Sequence, residues 1–131
     1  MSYKTLLFMP GNNPGMLQSS DVLGADGIII DLEDAVAINE KDAARILVCE
    51  YLNTIDIDET KSDIFIRINP SDTPFFNRDL EAIKDLKIEG IVLPKASLES
   101  METLDIFLTE NNLDFKVKNI SSVSIDSRQA L

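Results

Sequence analysis

The sequence predicts an α/β fold in which parallel strands alternate with helices. Short, wholly apolar runs recur along the 131 residues, and segments with apolar residues at helical spacing lie between them. Short runs that are apolar throughout, without strict alternation, are typical of strands covered on both faces. Strands that alternate with helices along a chain form parallel βαβ units, so we expect a parallel sheet.

Five strands are predicted from apolar runs and from the turn residues that follow them. Pro10 and Gly11 end the first run, Asp31 ends the second, and Asn69 and Pro94 follow the third and fourth. The predicted strands span 6–9, 27–30, 64–68 and 90–93, with a weaker fifth over 115–117.

Four helices are predicted between these strands, over 14–23, 40–52, 76–86 and 98–109. Asn13 is a good N-cap for the first helix, and Gly24 is its stop signal. Asn39 is the predicted N-cap of the second helix, whose apolar residues follow helical spacing. Ser97 is the predicted N-cap of the fourth helix, and Ser100 is a competing start.

The composition excludes several classes of function. The 12 Lys and Arg against 23 Asp and Glu give a net charge of −11. This charge excludes binding to nucleic acid or to an anionic membrane surface, because both need a basic protein surface. The absence of His excludes His-ligated zinc and a His general base. A single Cys excludes an internal disulfide and suits a reducing compartment. The 44% apolar content indicates a globular chain, and its length indicates one domain.

The amino terminus does not have the pattern of a targeting segment. The apolar run that begins at Leu6 is too short for a signal peptide, and no run approaches the length of a membrane span. We therefore expect a cytoplasmic protein with no membrane partner.

Polar residues follow each predicted strand, at the edge where parallel α/β folds place their active sites. They are Gly11 and Asn12 after the first strand, Asp31, Glu33 and Asp34 after the second, Arg67 and Asn69 at the third, and Lys95 after the fourth.

Arg67 is the most informative single residue because it interrupts an apolar strand, where a charge is costly unless it is paired. A planar guanidinium is suited to bidentate recognition of a carboxylate, so one interpretation is a substrate-binding residue. The other is a structural Arg paired with a nearby acid such as Glu33 or Asp34. The composition does not distinguish a substrate-binding Arg from a structural Arg.

The acidic turn of Asp31, Glu33 and Asp34 also has two interpretations. The carboxylates could bind magnesium or support a magnesium site, because hard cations prefer oxygen ligands. Alternatively, they favour a helix start through the helix dipole, or pair with Arg67 and Lys95.

Three further features are less specific. Lys95 is either a phosphate or carboxylate partner or a surface lysine. The loop 10–15 could hold an anion at a helix N-terminus, as in a flavodoxin-like phosphate or nucleotide module, although it lacks the Walker Lys-Ser/Thr. Cys49 lies in an apolar helical pattern and is interpreted as a buried structural thiol, since no His could activate it.

Taken together and in order, five motifs resemble the citrate lyase β-subunit (citryl-CoA lyase) family of the HpcH/HpaI aldolase superfamily. The resemblance covers about Tyr3 to Val117, and the ordered set is more specific than any single motif. The motifs are LFMPGN at 7–12, ADGIIIDLEDAV at 25–36, EKDAAR at 40–45, IRIN at 66–69 and IVLPK at 91–95.

The resemblance implies a (β/α)₈ TIM barrel that cleaves citryl-CoA to acetyl-CoA and oxaloacetate with Mg²⁺. Arg67 matches the family arginine that grips the substrate carboxylate, and Glu33, Asp34 and Lys95 are the best supporting candidates by position. The resemblance also implies a CoA-thioester substrate, association with the α and acyl-carrier subunits of citrate lyase, and a homo-oligomer.

The chain departs from the family pattern after Val117. The family continues with an apolar strand that leads to a Glu in an Ile-Glu-Thr-like segment, whereas this chain reads Lys118-Asn119-Ile120-Ser121-Ser122. Neither of the family's downstream magnesium ligands, a Glu and an Asp, has a matching position, so no metal ligand is predicted in this chain. The spacing of apolar residues after Asn119 leaves an edge strand as an alternative to an irregular segment.

A complete barrel needs about 250 residues. We therefore expect residues 1–117 to form the N-terminal half of a barrel, with about four βα units. Residues 118–131 are expected to be an irregular tail that is foreign to the family. A truncated chain of this kind is expected to be inactive alone. The alternative is a non-catalytic fragment or interaction module that associates with citrate lyase subunits.

Overall fold

Five parallel strands, ordered in space as they are in sequence, form the sheet of this computed structural model. The structure describes residues 6–12, 26–54, 62–94 and 97–119. The strands are β1 (Leu6–Pro10), β2 (Gly27–Asp31), β3 (Asp63–Arg67), β4 (Gly90–Leu93) and β5 (Lys116–Asn119). The predicted α/β fold with a parallel sheet is confirmed. The predicted helix 14–23 lies outside the described residues.

Three helices lie within the described ranges: α1 (Lys41–Thr54), α2 (Phe75–Ile83) and α3 (Leu98–Glu110). None of these three is long and apolar enough to cross a membrane. Ser97 caps α3 as predicted. Its side chain accepts a hydrogen bond from the Ser100 N–H, and the Ser100 hydroxyl bonds the Ser97 N–H in return, so Ser100 completes a capping box.

Two predicted helix ends were wrong. Asn39 is not the N-cap of α1, because it lies inside a short 3₁₀ turn, Ile38–Glu40, that precedes the helix. The helix α2 ends at Ile83 rather than at Leu86. Leu86 is still buried, in a turn in which its N–H donates to the Ile83 carbonyl at 3.0 Å. The apolar spacing therefore continues past the end of the helix, which is why the predicted helix was too long.

The two faces of the sheet have different apolar partners because side chains alternate along each strand. One face packs on the helices and forms the main core. Its strand residues are Leu7, Met9, Ile28, Ile30, Ile64, Ile66, Ile91 and Leu93, and they pack with Ala44, Val48, Leu52, Phe76, Leu80, Ile83, Leu104 and Leu108. The opposite face, which we call the inner face, carries a smaller cluster of Leu6, Ile29, Phe65 and Val92, with Phe8 packed against it.

The last strand extends further than the sequence indicates. β5 continues to Asn119, so residues 118 and 119 belong to the sheet and not to the irregular segment expected from 118 onward. Residues 120–131 of that segment lie outside the described residues. β5 pairs closely with β4, where Gly90 lies opposite Lys116. A side chain at Gly90 would place its Cβ only 2.1 Å from the Lys116 carbonyl oxygen.

We expect Gly90→Ala to destabilise the chain by about 1–3 kcal/mol, because the added methyl forces β5 away from β4. Urea unfolding followed by circular dichroism measures the change. Glu110→Ala, at the exposed end of α3, is the control and should change stability by less than about 0.5 kcal/mol. Equal stability of the Gly90→Ala variant and the parent would contradict the close packing of β5.

Candidate active site

Arg67 and Asp31 form an ion pair at the carboxyl ends of neighbouring strands. They are the last residues of β3 and β2 and lie opposite each other in the sheet. Nε of Arg67 donates to Oδ1 of Asp31 at 2.8 Å, and Nη2 donates to Oδ2 at 2.5 Å. The guanidinium carbon lies 4.8 Å from the centre of the Phe8 ring on β1. Asp31 therefore holds the guanidinium by hydrogen bonds in its plane, and the Phe8 ring contacts its face.

Asp31 also organises the turn that follows β2. Its two carboxylate oxygens accept the backbone N–H groups of Glu33 and Ala35 at 2.8 and 3.0 Å. With Arg67, this gives a 2% exposed carboxylate four hydrogen bonds. Burial lowers the pKa of Arg67, but the hydrogen bond and charge of Asp31 outweigh this effect and raise the pKa, so the guanidinium stays charged.

Glu33 lies beside this pair, with its Oε1 3.6 Å from Nε of Arg67. Its pKa is raised from 4.5 to about 7, first by burial and then by a hydrogen bond with Asp34, and Arg67 opposes the rise. Glu33 is only 8% exposed, so water screens these effects weakly. The Glu33 carboxyl is therefore partly protonated near neutral pH, which is the condition that suits proton transfer.

A buried lysine holds the backbone of the Glu33 turn. Nζ of Lys41, the first residue of α1, donates to the carbonyl oxygens of Leu32 and Glu33 at 3.0 and 2.8 Å. The same ammonium lies 5.5 Å from the centre of the Phe75 ring. Lys41 is 6% exposed, so its hydrogen bonds are protected from water and fix the turn that carries Glu33.

Asp79 on α2 is the centre of a second buried polar network. Its Oδ1 accepts Nε of Arg45 at 2.7 Å, and its Oδ2 accepts the backbone N–H and Nδ2 of Asn69 at 2.8 and 2.6 Å. Nδ2 of Asn69 also donates to the Leu32 carbonyl at 3.0 Å. Arg45 also pairs with Asp42, and among the described residues its buried Nη2 has no hydrogen-bond partner. The network ties α1 and α2 to the turn after β2.

The structure brings together some of the residues predicted to form the site. Arg67 and Glu33 lie side by side, and the exposed Asp34 reaches Glu33 by a hydrogen bond. The main partner of Arg67 is Asp31 rather than Glu33 or Asp34, because Asp31 ends the neighbouring strand directly opposite it. Lys95 lies outside the described residues.

Gly11, in the loop proposed to hold an anion, contributes packing. Its N–H donates to the Asp31 carbonyl at 2.8 Å. A Cβ there would approach the Asp31 carbonyl oxygen and a Leu32 methyl to 2.9 Å. Asn12 bonds the Glu40 side chain at 3.0 Å. The remainder of this loop lies outside the described residues.

Lys41 and Asp79 were not predicted from the sequence. A signal for Asp79 was available, because it falls on the apolar face of α2 with Phe76, Leu80 and Ile83, and a charge on such a face needs a buried partner. Lys41 gave no comparable signal, since a lysine at the start of a helix is most often solvated.

The carboxylates at this edge do not fit a magnesium ion. Within 6–12, 26–54, 62–94 and 97–119, no group of three or more His, Cys, Asp or Glu side chains is placed to hold a metal. Both oxygens of Asp31 accept hydrogen bonds from Arg67 and from backbone N–H groups. Glu33 is partly protonated near neutral pH and lies against the Arg67 cation. Hard cations require ionised, available oxygens, and these carboxylates do not offer them.

We expect Asp79→Ala to destabilise the chain by about 3–5 kcal/mol, because it leaves the buried Arg45 guanidinium without its buried partner. Thermal or urea unfolding measures the loss. The control is Glu81→Ala on the same helix, which removes a largely exposed pair with Lys84 and should cost less than about 1 kcal/mol. Similar losses for the two variants would contradict the role of the buried network.

The raised pKa of Glu33 predicts a specific dependence of stability on pH. Because the folded-state pKa of about 7 lies above the ordinary value of 4.5, the stability from protonated Glu33 is fully present below 4.5 and is lost as the pH rises through 7.

Glu33→Gln resembles the protonated acid, so it should match the parent in stability at about pH 4 and exceed it at about pH 8. Urea unfolding across this range checks the expectation, with Glu50→Gln on exposed α1 surface as the control for simple loss of charge. A constant difference between the Glu33→Gln variant and the parent at all pH values would contradict the raised pKa.

Comparison with known proteins places this geometry in a family. The model of the HpcH/HpaI aldolase/citrate lyase family matches residues 4–125 and so extends past Val117, where the resemblance was expected to end. Citrate lyase subunit beta of Leuconostoc mesenteroides subsp. cremoris is 42% identical over 113 residues, which are 86% of this chain and 37% of that protein. A (3S)-malyl-CoA thioesterase of Cereibacter sphaeroides is 39% identical over 95 residues, 72% of this chain and 33% of that protein.

The solved structures that match are TIM barrels. The citrate lyase beta subunit of Mycobacterium tuberculosis, complexed with oxaloacetate and magnesium, has a TM-score of 0.67 and 30% identity, and covers 87% of this chain and 45% of that chain. The chain thus spans less than half the length of the relatives it matches, and its sheet is a partial barrel, as predicted. The chain belongs to the HpcH/HpaI aldolase/citrate lyase family, a family that includes carbon–carbon lyases.

Proposed function

We propose that this chain supplies the carboxylate-binding part of a citryl-CoA lyase site, in which citryl-CoA is cleaved to acetyl-CoA and oxaloacetate. The observation that carries the proposal is the fixed guanidinium of Arg67 at the carboxyl ends of the strands. A relative, the citrate lyase beta subunit of Mycobacterium tuberculosis, has been solved with oxaloacetate and magnesium. Related CitE structures include one with acetoacetate and coenzyme A, which supports a CoA thioester as the substrate class.

Arg67 is suited to bind a carboxylate because it is ordered before the ligand arrives. Asp31 engages Nε and Nη2, and among the described residues no hydrogen bond engages Nη1. The Arg67 side chain is 13% exposed, so a part of it remains accessible. A guanidinium already fixed by an ion pair and an aromatic face loses little further freedom on binding, which increases affinity and orients the ligand.

Glu33 is proposed as the group that holds or moves a proton beside the bound substrate. Cleavage of the carbon–carbon bond takes a proton from the substrate hydroxyl and delivers one to the carbon that becomes the acetyl methyl. A carboxyl with a pKa of about 7 is suited to accept or donate a proton near neutral pH. Asp34, which bonds Glu33, and Lys95 are proposed as supporting groups for substrate binding.

Magnesium is proposed as the cofactor of the complete site. Its role there would be to stabilise negative charge that develops on the oxaloacetate part of the substrate. Because the described carboxylates do not fit the ion, its ligands are proposed to come from elsewhere in the complete barrel. The chain of 131 residues is therefore proposed to bind the carboxylate part of the substrate without turning it over.

The proposed partners follow from the family. They are the α and acyl-carrier subunits of citrate lyase and further copies of the chain. Retention of the purified chain on an immobilised acyl-carrier subunit, above the level retained on a blank resin, would support this association. A monodisperse monomer that is not retained would count against it.

We expect Arg67→Gln to weaken oxaloacetate binding by about 10- to 100-fold, because one charge-assisted contact is worth about 1.5–3 kcal/mol. Isothermal titration calorimetry measures the dissociation constant. Arg67→Lys keeps the charge that balances Asp31 but loses the planar geometry, so it should fold and still bind more weakly than the parent. Arg78→Gln, which removes a cation 58% exposed on α2, should leave the affinity unchanged. Parental affinity in both Arg67 variants would contradict the proposed site.

We expect the purified chain to show no magnesium-dependent cleavage of citryl-CoA above the Arg67→Gln background. The reason is that its described carboxylates do not form a magnesium site. Release of acetyl-CoA, followed by liquid chromatography, is the readout. Turnover by the parent chain that is lost in the Arg67→Gln variant would show that the chain is active alone and would contradict this part of the proposal.

A further inference from the structure

Lys118 occupies a position on the inner face that corresponds to that of Arg67. In the sheet, Arg67 lies opposite Val92 on β4, and Val92 lies opposite Lys118 on β5. Side chains of paired residues in neighbouring parallel strands project to the same face. Val92 belongs to the inner-face cluster, so Arg67 and Lys118 flank it on that face, in one row across the strand ends.

The contacts of the two cations agree with this register. The guanidinium carbon of Arg67 lies 4.8 Å from the centre of the Phe8 ring, and Nζ of Lys118 lies 5.6 Å from the centre of the Phe65 ring. The Phe65 ring belongs to the inner-face cluster, and the Phe8 ring packs against that cluster. Two strand spacings separate β3 from β5, which is about 10 Å between their backbones. The long side chains can therefore approach the two ends of one small ligand.

We propose that Lys118 binds a second carboxylate of the ligand, so that the inner face recognises a short dicarboxylate rather than a monocarboxylate. This inference rests on the proposed function, in which Arg67 binds the first carboxylate. Between the two cations the row presents only Val92, an apolar side chain that suits the carbon chain joining two carboxylates. Lys118 is half-buried, so its charge is screened less than that of a fully exposed lysine.

Lys116 is the natural comparison for this role. It lies two residues earlier on the same strand, opposite Gly90, and its Nζ pairs with Oε1 of Glu89 at 2.5 Å. Its side chain is 55% exposed, and its carboxylate partner lies at the amino end of β4. A general effect of positive charge on β5 would involve both lysines, whereas ligand binding at the carboxyl end of the sheet involves Lys118 alone.

The test compares malonate and acetate as probes of the purified chain, by nuclear magnetic resonance titration. The parent should bind malonate more tightly than acetate. Lys118→Gln should lower the malonate-to-acetate affinity ratio by about tenfold, the value of one charge-assisted contact, while acetate affinity changes by less than about twofold. Lys118→Arg should retain most of the ratio, and Lys116→Gln should leave it unchanged.

The outcomes separate this inference from the proposed function. In one outcome both probes bind, Arg67→Gln abolishes binding, and Lys118→Gln leaves the malonate-to-acetate affinity ratio at the parental value. This outcome would overturn the role of Lys118 and leave the Arg67 site in place. An equal loss in the Lys118→Gln and Lys116→Gln variants would also overturn it, because the effect would be one of general charge. If the parent binds neither probe, both the Arg67 site and the role of Lys118 are overturned.

Discussion

The ion pair between Arg67 and Asp31 is the interaction on which the site depends. Two charges nearly removed from water are costly unless the geometry is good and the remaining hydrogen-bonding groups are satisfied. Here the pair is bidentate, the carboxylate also accepts two backbone N–H groups, and an aromatic ring covers the guanidinium. One carboxylate thereby fixes both the cation that would bind a ligand and the turn that carries Glu33.

The turn after β2 is rigid because buried polar groups hold it from several sides. Asp31 accepts its N–H groups, while Lys41 and Asn69 donate to its carbonyls. Asn69 is in turn held by Asp79. These contacts keep Glu33 in a buried position beside Arg67, where the loss of water raises the pKa of its carboxyl. The position of the Glu33 carboxyl thus follows from hydrogen bonds to the backbone rather than from contacts of the carboxyl itself.

Much of the fold was predictable because strand signals are local. Apolar runs closed by Pro, Asp or Asn identified the first four strands to within one residue, and the weaker fifth run lies within two residues of the bounds of β5. The Ser97 cap followed from its side chain. The Arg67–Asp31 partnership was not predictable, because it depends on the register between β2 and β3. The same holds for Lys118, whose strand position depends on the close approach that Gly90 allows between β4 and β5.

Arg67, fixed by Asp31, is proposed as the group that binds a carboxylate ligand. The most direct measurement is the nuclear magnetic resonance signal of the Arg67 Nε–H group during a titration with oxaloacetate. We expect a slowly exchanging Nε–H signal in the free chain, because Asp31 accepts this proton at 2.8 Å, and a saturable shift of the signal as oxaloacetate is added. An Nε–H that exchanges rapidly with water and does not shift with the ligand would contradict this role of Arg67.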